Sequence, residues 1–184
     1  MSATPTRAAI YDARTIALHW VMFALVLALW ILGQFLDNFA KGAPRTNARS
    51  VHISMGLILA CLLVLRIAWR LTGGIRLPQS DPGVSGKMAI GAHLLLYALL
   101  LVVVLLGLAC VWTRGDTLLH QFAVPVFDPG NRRLAESTVG LHGLAANLLG
   151  IVAASHASTA VLHHWLLKDG VLRRMWPGRR RDRS

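Results

Sequence analysis

Between Ser137 and Trp165 the chain reads STVGLHGLAANLLGIVAASHASTAVLHHW, an apolar run that carries His142, His156, His163 and His164. Imidazole is costly inside hydrocarbon unless it is paired, so histidines in such a run are functional suspects by default. Further histidines stand in other apolar runs: His19 in ALHW, His52 in SVHISMG and His93 in GAHLLLYALL. Carboxylates offer no competing chemistry there. Asp12, Asp37, Asp81, Asp116, Asp128, Glu136, Asp169 and Asp182 all fall in loops, tails or the ends of apolar runs. That excludes a carboxylate di-metal centre in a bundle core and a relay of intramembrane acids. The sequence contains no Gly-rich phosphate loop and no serine-hydrolase elbow, so histidine is the candidate chemistry and no catalytic side chain is assigned.

The elements that must position these residues follow from composition. Of 184 residues 55% are hydrophobic and mean hydropathy is +0.54, too apolar for an ordinary soluble domain. Apolar spans at about 15–36, 51–71, 88–112 and 138–166 each reach the roughly 20 residues that cross about 30 Å of hydrocarbon. We read an all-α integral membrane four-helix bundle, a single domain over residues 1–184, with no internal repeat. Cys61 and Cys110 both lie within spans and no C-x-x-C-H occurs, which excludes covalently attached haem of the c type and argues for core packing.

The net charge of +11 points to membrane lipid rather than nucleic acid because of where it sits. Lys and Arg concentrate in the N-terminus, the loop after the second span and the tail RRMWPGRRRDRS. The other two loops hold only Lys41, Arg45, Arg49, Arg114, Arg132 and Arg133. With an even number of spans this asymmetry places both termini in the cytoplasm, the tail acting as an anchor on anionic lipid.

Alternating spans convert position into depth at about 1.5 Å per residue. His52 and His142 then share the outer level. His156 follows His142 about 21 Å deeper, at the inner level of His19. Small residues (Gly143, Ala145, Ala146, Gly150, Ala153, Ala154) flank the two histidines of the fourth span and leave room for a flat, bulky group. Two histidines on facing helices at one level can supply both axial ligands of a haem iron. Two levels imply two b haems stacked across the bilayer. The competing reading of any one such histidine is an interhelical hydrogen bond. At the inner level His93 competes with His19 for partnership with His156, and depth alone does not choose. His163 can meet a haem propionate, a quinone head group or solvent, whereas His164 points away and is solvated. Arg66 and Arg70, four apart on one face, can clamp propionates or serve as positive-inside anchors. His120 lies in DTLLHQFAVPVF, which reads as a short interfacial helix without iron.

At this point the chain resembles the bacterial cytochrome b561 family, a four-helix dihaem fold related to the cytochrome b subunits of nickel–iron hydrogenases and formate dehydrogenases. The resemblance rests on ALHW, SVHISMG, GAHLLLYALL, WTRGD, LHGLAANLLG and ASHASTAVLHHWLLKDGVLRRM. It implies His19 with His156 as the ligands of one haem and His52 with His142 as those of the other, which breaks the tie against His93. It also implies electron transfer at the bacterial plasma membrane, with quinone as a usual partner and, in some members, superoxide as donor. Two functions follow. In the first, the chain moves electrons between an outer-face, periplasmic donor and the quinone pool, with Lys41, Arg45 and Arg49 beside His52 steering a small anion or simply forming a solvated loop. In the second, it is a haem-bearing anchor for a separate periplasmic dehydrogenase or hydrogenase. A haem-free transporter is a distant third. A homodimer is compatible with all of them.

Overall fold

The computed structural model describes residues 10–75, 77, 83–118, 122–168 and 170–176. Four helices long and apolar enough to cross a membrane account for most of them. Helix α1 (Ala13–Phe35) starts at Asp12, whose carboxylate accepts from the Thr15 backbone N–H at 2.9 Å, the usual way to satisfy an orphan donor of the first turn. A 3₁₀ turn, Leu36–Asn38, follows. Helix α2 (Ala43–Thr72) begins with Pro44 in its first turn, where a missing N–H costs nothing and φ is preset. Helix α3 (Val84–Arg114) ends on Gly115 at φ 67°, the left-handed cap that glycine adopts without a Cβ penalty. Helix α4 (Arg132–Leu162) is capped by the Asn131 side chain, passes into a π turn over His163–Leu167, and is followed by a 3₁₀ turn, Leu172–Met175.

The bundle is inside-out relative to a water-soluble one. Its small core is Met22, Leu29, Leu59, Leu63, Leu100 and Leu149. Leu63 is 2% exposed, while its neighbour Val64 is 68% exposed. Outward apolar side chains of this kind suit lipid, where they carry no hydration cost. The closest helix pairs are α3 with α4 and α1 with α2, and α1 touches α4 only lightly. The described chain ends meet at one end of the bundle. The Tyr11 N–H donates to the Arg174 carbonyl at 3.2 Å, and the Trp20 indole N–H donates to the Met175 carbonyl at 2.7 Å.

Two expectations need correction. The described residues of DTLLHQFAVPVF are not helical: Thr117–Leu118 (β1) pairs antiparallel with Phe122–Ala123 (β2). Gly115 has already ended α3 in a left-handed conformation, and Pro125 cannot sit inside a helix without losing a hydrogen bond. His120 itself lies outside the described residues. The second correction concerns the loop cations: α2 starts at Ala43, so Arg45 and Arg49 are helical. Arg45 donates to the carbonyls of Asp37 and Phe39 and pairs with Asp37, and Arg49 pairs with Asp116 at 3.3 Å.

Candidate functional site

At the outer level α2 and α4 face each other through His52 and His142, each about three turns into its helix. Their ring centres are 6.2 Å apart with planes at 84°. The His142 Nδ1 lies 3.1 Å from the Val103 carbonyl oxygen of α3. A carbonyl only accepts, so this nitrogen carries the proton and Nε2 is left with a lone pair. Such a bond from the far nitrogen is how a metal-binding imidazole is usually oriented. The His52 Nδ1 is buried with no hydrogen-bond partner among the described residues. Glycine at 107 lets one ring approach closely: a Cβ on Gly107 of α3 would stand 3.2 Å from His142 Cε1, whereas one on Gly33 of α1 would make an ordinary 3.5 Å contact with His52 Cε1.

The inner level brings together His19 of α1, Arg66 of α2, His93 and Tyr97 of α3, and His156 of α4. Arg66 donates from Nε to the Tyr97 hydroxyl at 2.8 Å, and its Nη2 is 3.3 Å from His19 Nδ1. Guanidinium has no acceptor, so His19 Nδ1 accepts. His93 donates from Nδ1 to the Ala89 carbonyl at 2.6 Å, and its ring centre is 5.0 Å from that of His156. Both His156 and His93 are electrostatic neighbours of His19. The structure therefore gathers the three inner histidines that depth left in competition, with His93 beside His156 and His19 beside Arg66.

Ring separations distinguish these pairs chemically. Metal–imidazole bonds of about 2 Å, plus roughly 1.1 Å from nitrogen to ring centre, put two ligands on opposite sides of one metal about 6 Å apart. The His52–His142 separation matches that arrangement; the His93–His156 separation is too short for it. Among the described residues no three His, Cys, Asp or Glu side chains converge as a metal cluster. A metal already held in a plane by a macrocycle needs only two protein ligands.

The remaining sequence candidates lie elsewhere. Arg70 is in the last turn of α2, an electrostatic neighbour of His93. His163 opens the π turn beyond His156. His164 lines an open cleft with Leu172, Arg173 and Trp176. Cys110 is buried and Cys61 exposed, and both are free thiols. Sequence reasoning missed Tyr97, Gly33, Gly107 and the Val103 carbonyl. Tyr97 stands four residues after His93, a spacing that puts both on one helix face. An isolated glycine in an apolar helical run, as at Gly107, is itself a sign of close approach.

Comparison with known proteins points the same way. The family model described as prokaryotic cytochrome b561 matches residues 10–178. A Yersinia pestis protein named "Probable superoxide oxidase CybB" is 30% identical over 174 residues, covering 92% of this chain and 97% of its own. Cytochrome b562 of Cereibacter sphaeroides is 32% identical over 171 residues, covering 90% and 94% respectively. Cytochrome b561 homolog 1 of Escherichia coli K12 is 28% identical over 179 residues, covering 92% and 98%.

Proposed function

The chain belongs to the prokaryotic cytochrome b561 family, and from that premise we propose that it passes electrons through two b haems between a donor at the outer face and the quinone pool. It is a multi-pass protein of the bacterial inner membrane, a cytochrome b electron carrier.

In this reading His52 and His142 hold the outer haem, and the observation that carries the proposal is their 6.2 Å ring separation with His142 already oriented by Val103. The His52 Nδ1 has no hydrogen-bond partner among the described residues, so no bond there dictates which ring nitrogen keeps its lone pair, and Nε2 is free to ligate. Haem supplies reversible one-electron chemistry at a potential set by its ligands, hydrogen bonds and burial.

At the inner level the ligands are His19 and His156. Two things support them over His93: the family resemblance, and the 5.0 Å between His93 and His156. Arg66 constrains how His19 can act. While Arg66 donates to Nδ1, the neutral ring carries its proton on Nε2, which then has no lone pair for iron. Ligation through Nε2 therefore requires Arg66 to let go of His19, free to meet a propionate by a charge-assisted bond. Its Tyr97 bond need not break.

For the donor, superoxide is the small anion that fits the relative's printed name. Arg49 and Arg114 converge on Asp116 at 3.3 and 3.5 Å, so two cations share one anion at the outer end and the group keeps a net positive field. Such a field raises the local concentration of an anionic substrate. His163 offers a quinone contact near the other face.

The test is turnover by the purified, haem-loaded chain alone. With an enzymatic superoxide source and a soluble quinone, the account predicts superoxide-dependent quinol formation that falls steeply as salt rises. No quinol formation, with haems intact, would assign the chain to the anchor role for a separate dehydrogenase.

A further inference from the structure

At the end of the bundle where Tyr11 meets Arg174, α4 departs from ordinary helix. It widens into the π turn His163–Leu167, a form that is rare and frequently placed at functional sites. Lys168 then adopts φ 52°, the described non-glycine residue with positive φ, and Gly170 follows at φ 74°. A lysine held in the left-handed region persists where its surroundings fix it. The chain doubles back into Leu172–Met175, and that return is pinned to α1 by the Trp20–Met175 and Tyr11–Arg174 hydrogen bonds.

This fold-back shapes two adjoining shallow clefts, open to the surface, of about 330 and 300 Å³. His164 and Arg173 stand in the wall of both, joined by Trp176 and Leu172 in the first and by Trp165, Lys168 and Gly170 in the second. Three basic side chains, His164, Lys168 and Arg173, thus line one turn, with no acidic residue among the described lining; Asp169, between Lys168 and Gly170, lies outside the described residues. Trp165 and Trp176 are 74% and 53% exposed. Exposed indoles at the end of a spanning helix belong at the headgroup level of a membrane. The volume is at the lower end of small-ligand sites, about 300–1,000 Å³, enough for a headgroup and not for a whole lipid.

We propose that this turn binds the headgroup of one anionic phospholipid, its phosphate held by Arg173, Lys168 and His164 and its acyl chains lying along Trp165 and Leu166. The phosphate supplies the negative charge that three cationic or hydrogen-donating groups recognise. A quinone head group, which carries no charge, would leave the two permanent cations unused.

The test uses the full-length, haem-loaded protein, delipidated in detergent and titrated with phosphatidylglycerol or phosphatidylcholine under native mass spectrometry. One phosphatidylglycerol should be retained per chain, with phosphatidylcholine held at least about five-fold more weakly. Arg173→Gln should weaken phosphatidylglycerol about five-fold, as expected for one cation near a charged surface, and Arg173→Lys should restore most of it. An unchanged haem spectrum reports an intact fold, and Lys168→Gln replaces Arg173→Gln if that variant does not fold. Equal retention of both lipids, or no effect of either glutamine substitution, overturns the proposal. So does displacement of the lipid by millimolar inorganic phosphate, which would make free phosphate the ligand, or co-purification of stoichiometric quinone that Arg173→Gln removes.

Discussion

His142 of α4 is held to α3 by a 3.1 Å hydrogen bond from its Nδ1 to the Val103 carbonyl, and Gly107, one turn further along α3, leaves the space its ring edge occupies. A Cβ at Gly107 would already be 3.2 Å from His142 Cε1, tighter than ordinary contact. Gly107→Val should push the imidazole off the Val103 carbonyl and weaken the outer haem selectively. About half the haem should be lost or converted to a high-spin form, with the helix content unchanged by circular dichroism. Retention of both haems in the low-spin state would show that His142 does not depend on this approach.

At the inner level the prediction separates an axial ligand from its neighbour. Loss of an axial ligand removes the strong bond on one side of the iron, whereas loss of a nearby histidine only changes its surroundings. His19→Ala should lose the inner haem or render it high-spin. His93→Ala should keep both haems low-spin and shift a midpoint potential at most. Low-temperature electron paramagnetic resonance of the oxidised variants reads the outcome, and the reverse pattern would place the inner haem between α3 and α4.

Orientation follows from charge. Tyr11 and Arg174 share one end of the bundle, and the cations concentrated there and in the tail predict that this end faces the cytoplasm. A reporter active only in the cytoplasm should be active when fused after Ser184. Activity of a periplasm-specific reporter at the same position would exchange the inner and outer levels.

Asp12 ties the start of α1 to the end of α2. Its carboxylate accepts from the Thr15 N–H and hydroxyl, from the Trp69 indole at 3.0 Å and from the Ile75 N–H at 3.2 Å. Burial alone would raise its pKa, but these four bonds outweigh it and hold the carboxyl down to about 2 from an ordinary 3.8. A depressed folded-state pKa contributes stability that is complete above the unfolded value and lost as pH falls through the folded one. Stability from this group should therefore be flat from pH 5 to 8 and decline between about pH 4 and 2. Asp12→Ala should cost about 1–2 kcal/mol, at the upper end for a lost helix cap, and should remove that acid-dependent part of the loss. Differential scanning fluorimetry in detergent across pH checks both. An Asp12→Ala variant as stable as the parent at pH 7 would mean the clasp contributes nothing.

Much of the fold was legible because hydrocarbon admits few solutions: an apolar run of spanning length must be a helix. The helix ends were not. Arg45 and Arg49 looked like loop residues because hydropathy stops at the membrane surface, while α2 continues beyond it to Ala43. The outer histidine pair was legible as two equal depths, since rise per residue is fixed. The inner level was ambiguous for a related reason. Depth carries no information about helix rotation, so it could not distinguish His19 from His93, or foresee that Arg66 bridges His19 and Tyr97. The glycines facing His52 and His142, and the carbonyl that orients His142, are relations between helices that no single helix's pattern records.

The most direct measurement is haem stoichiometry with ligation state on one sample of fully loaded protein. Pyridine haemochrome against quantitative amino-acid analysis should give about two b haems per chain. The oxidised protein should show only low-spin iron, and His52→Ala and His142→Ala should each remove the same one of the two signals. A ratio near one, or ligand variants on α2 and α4 that affect different haems, would contradict the account.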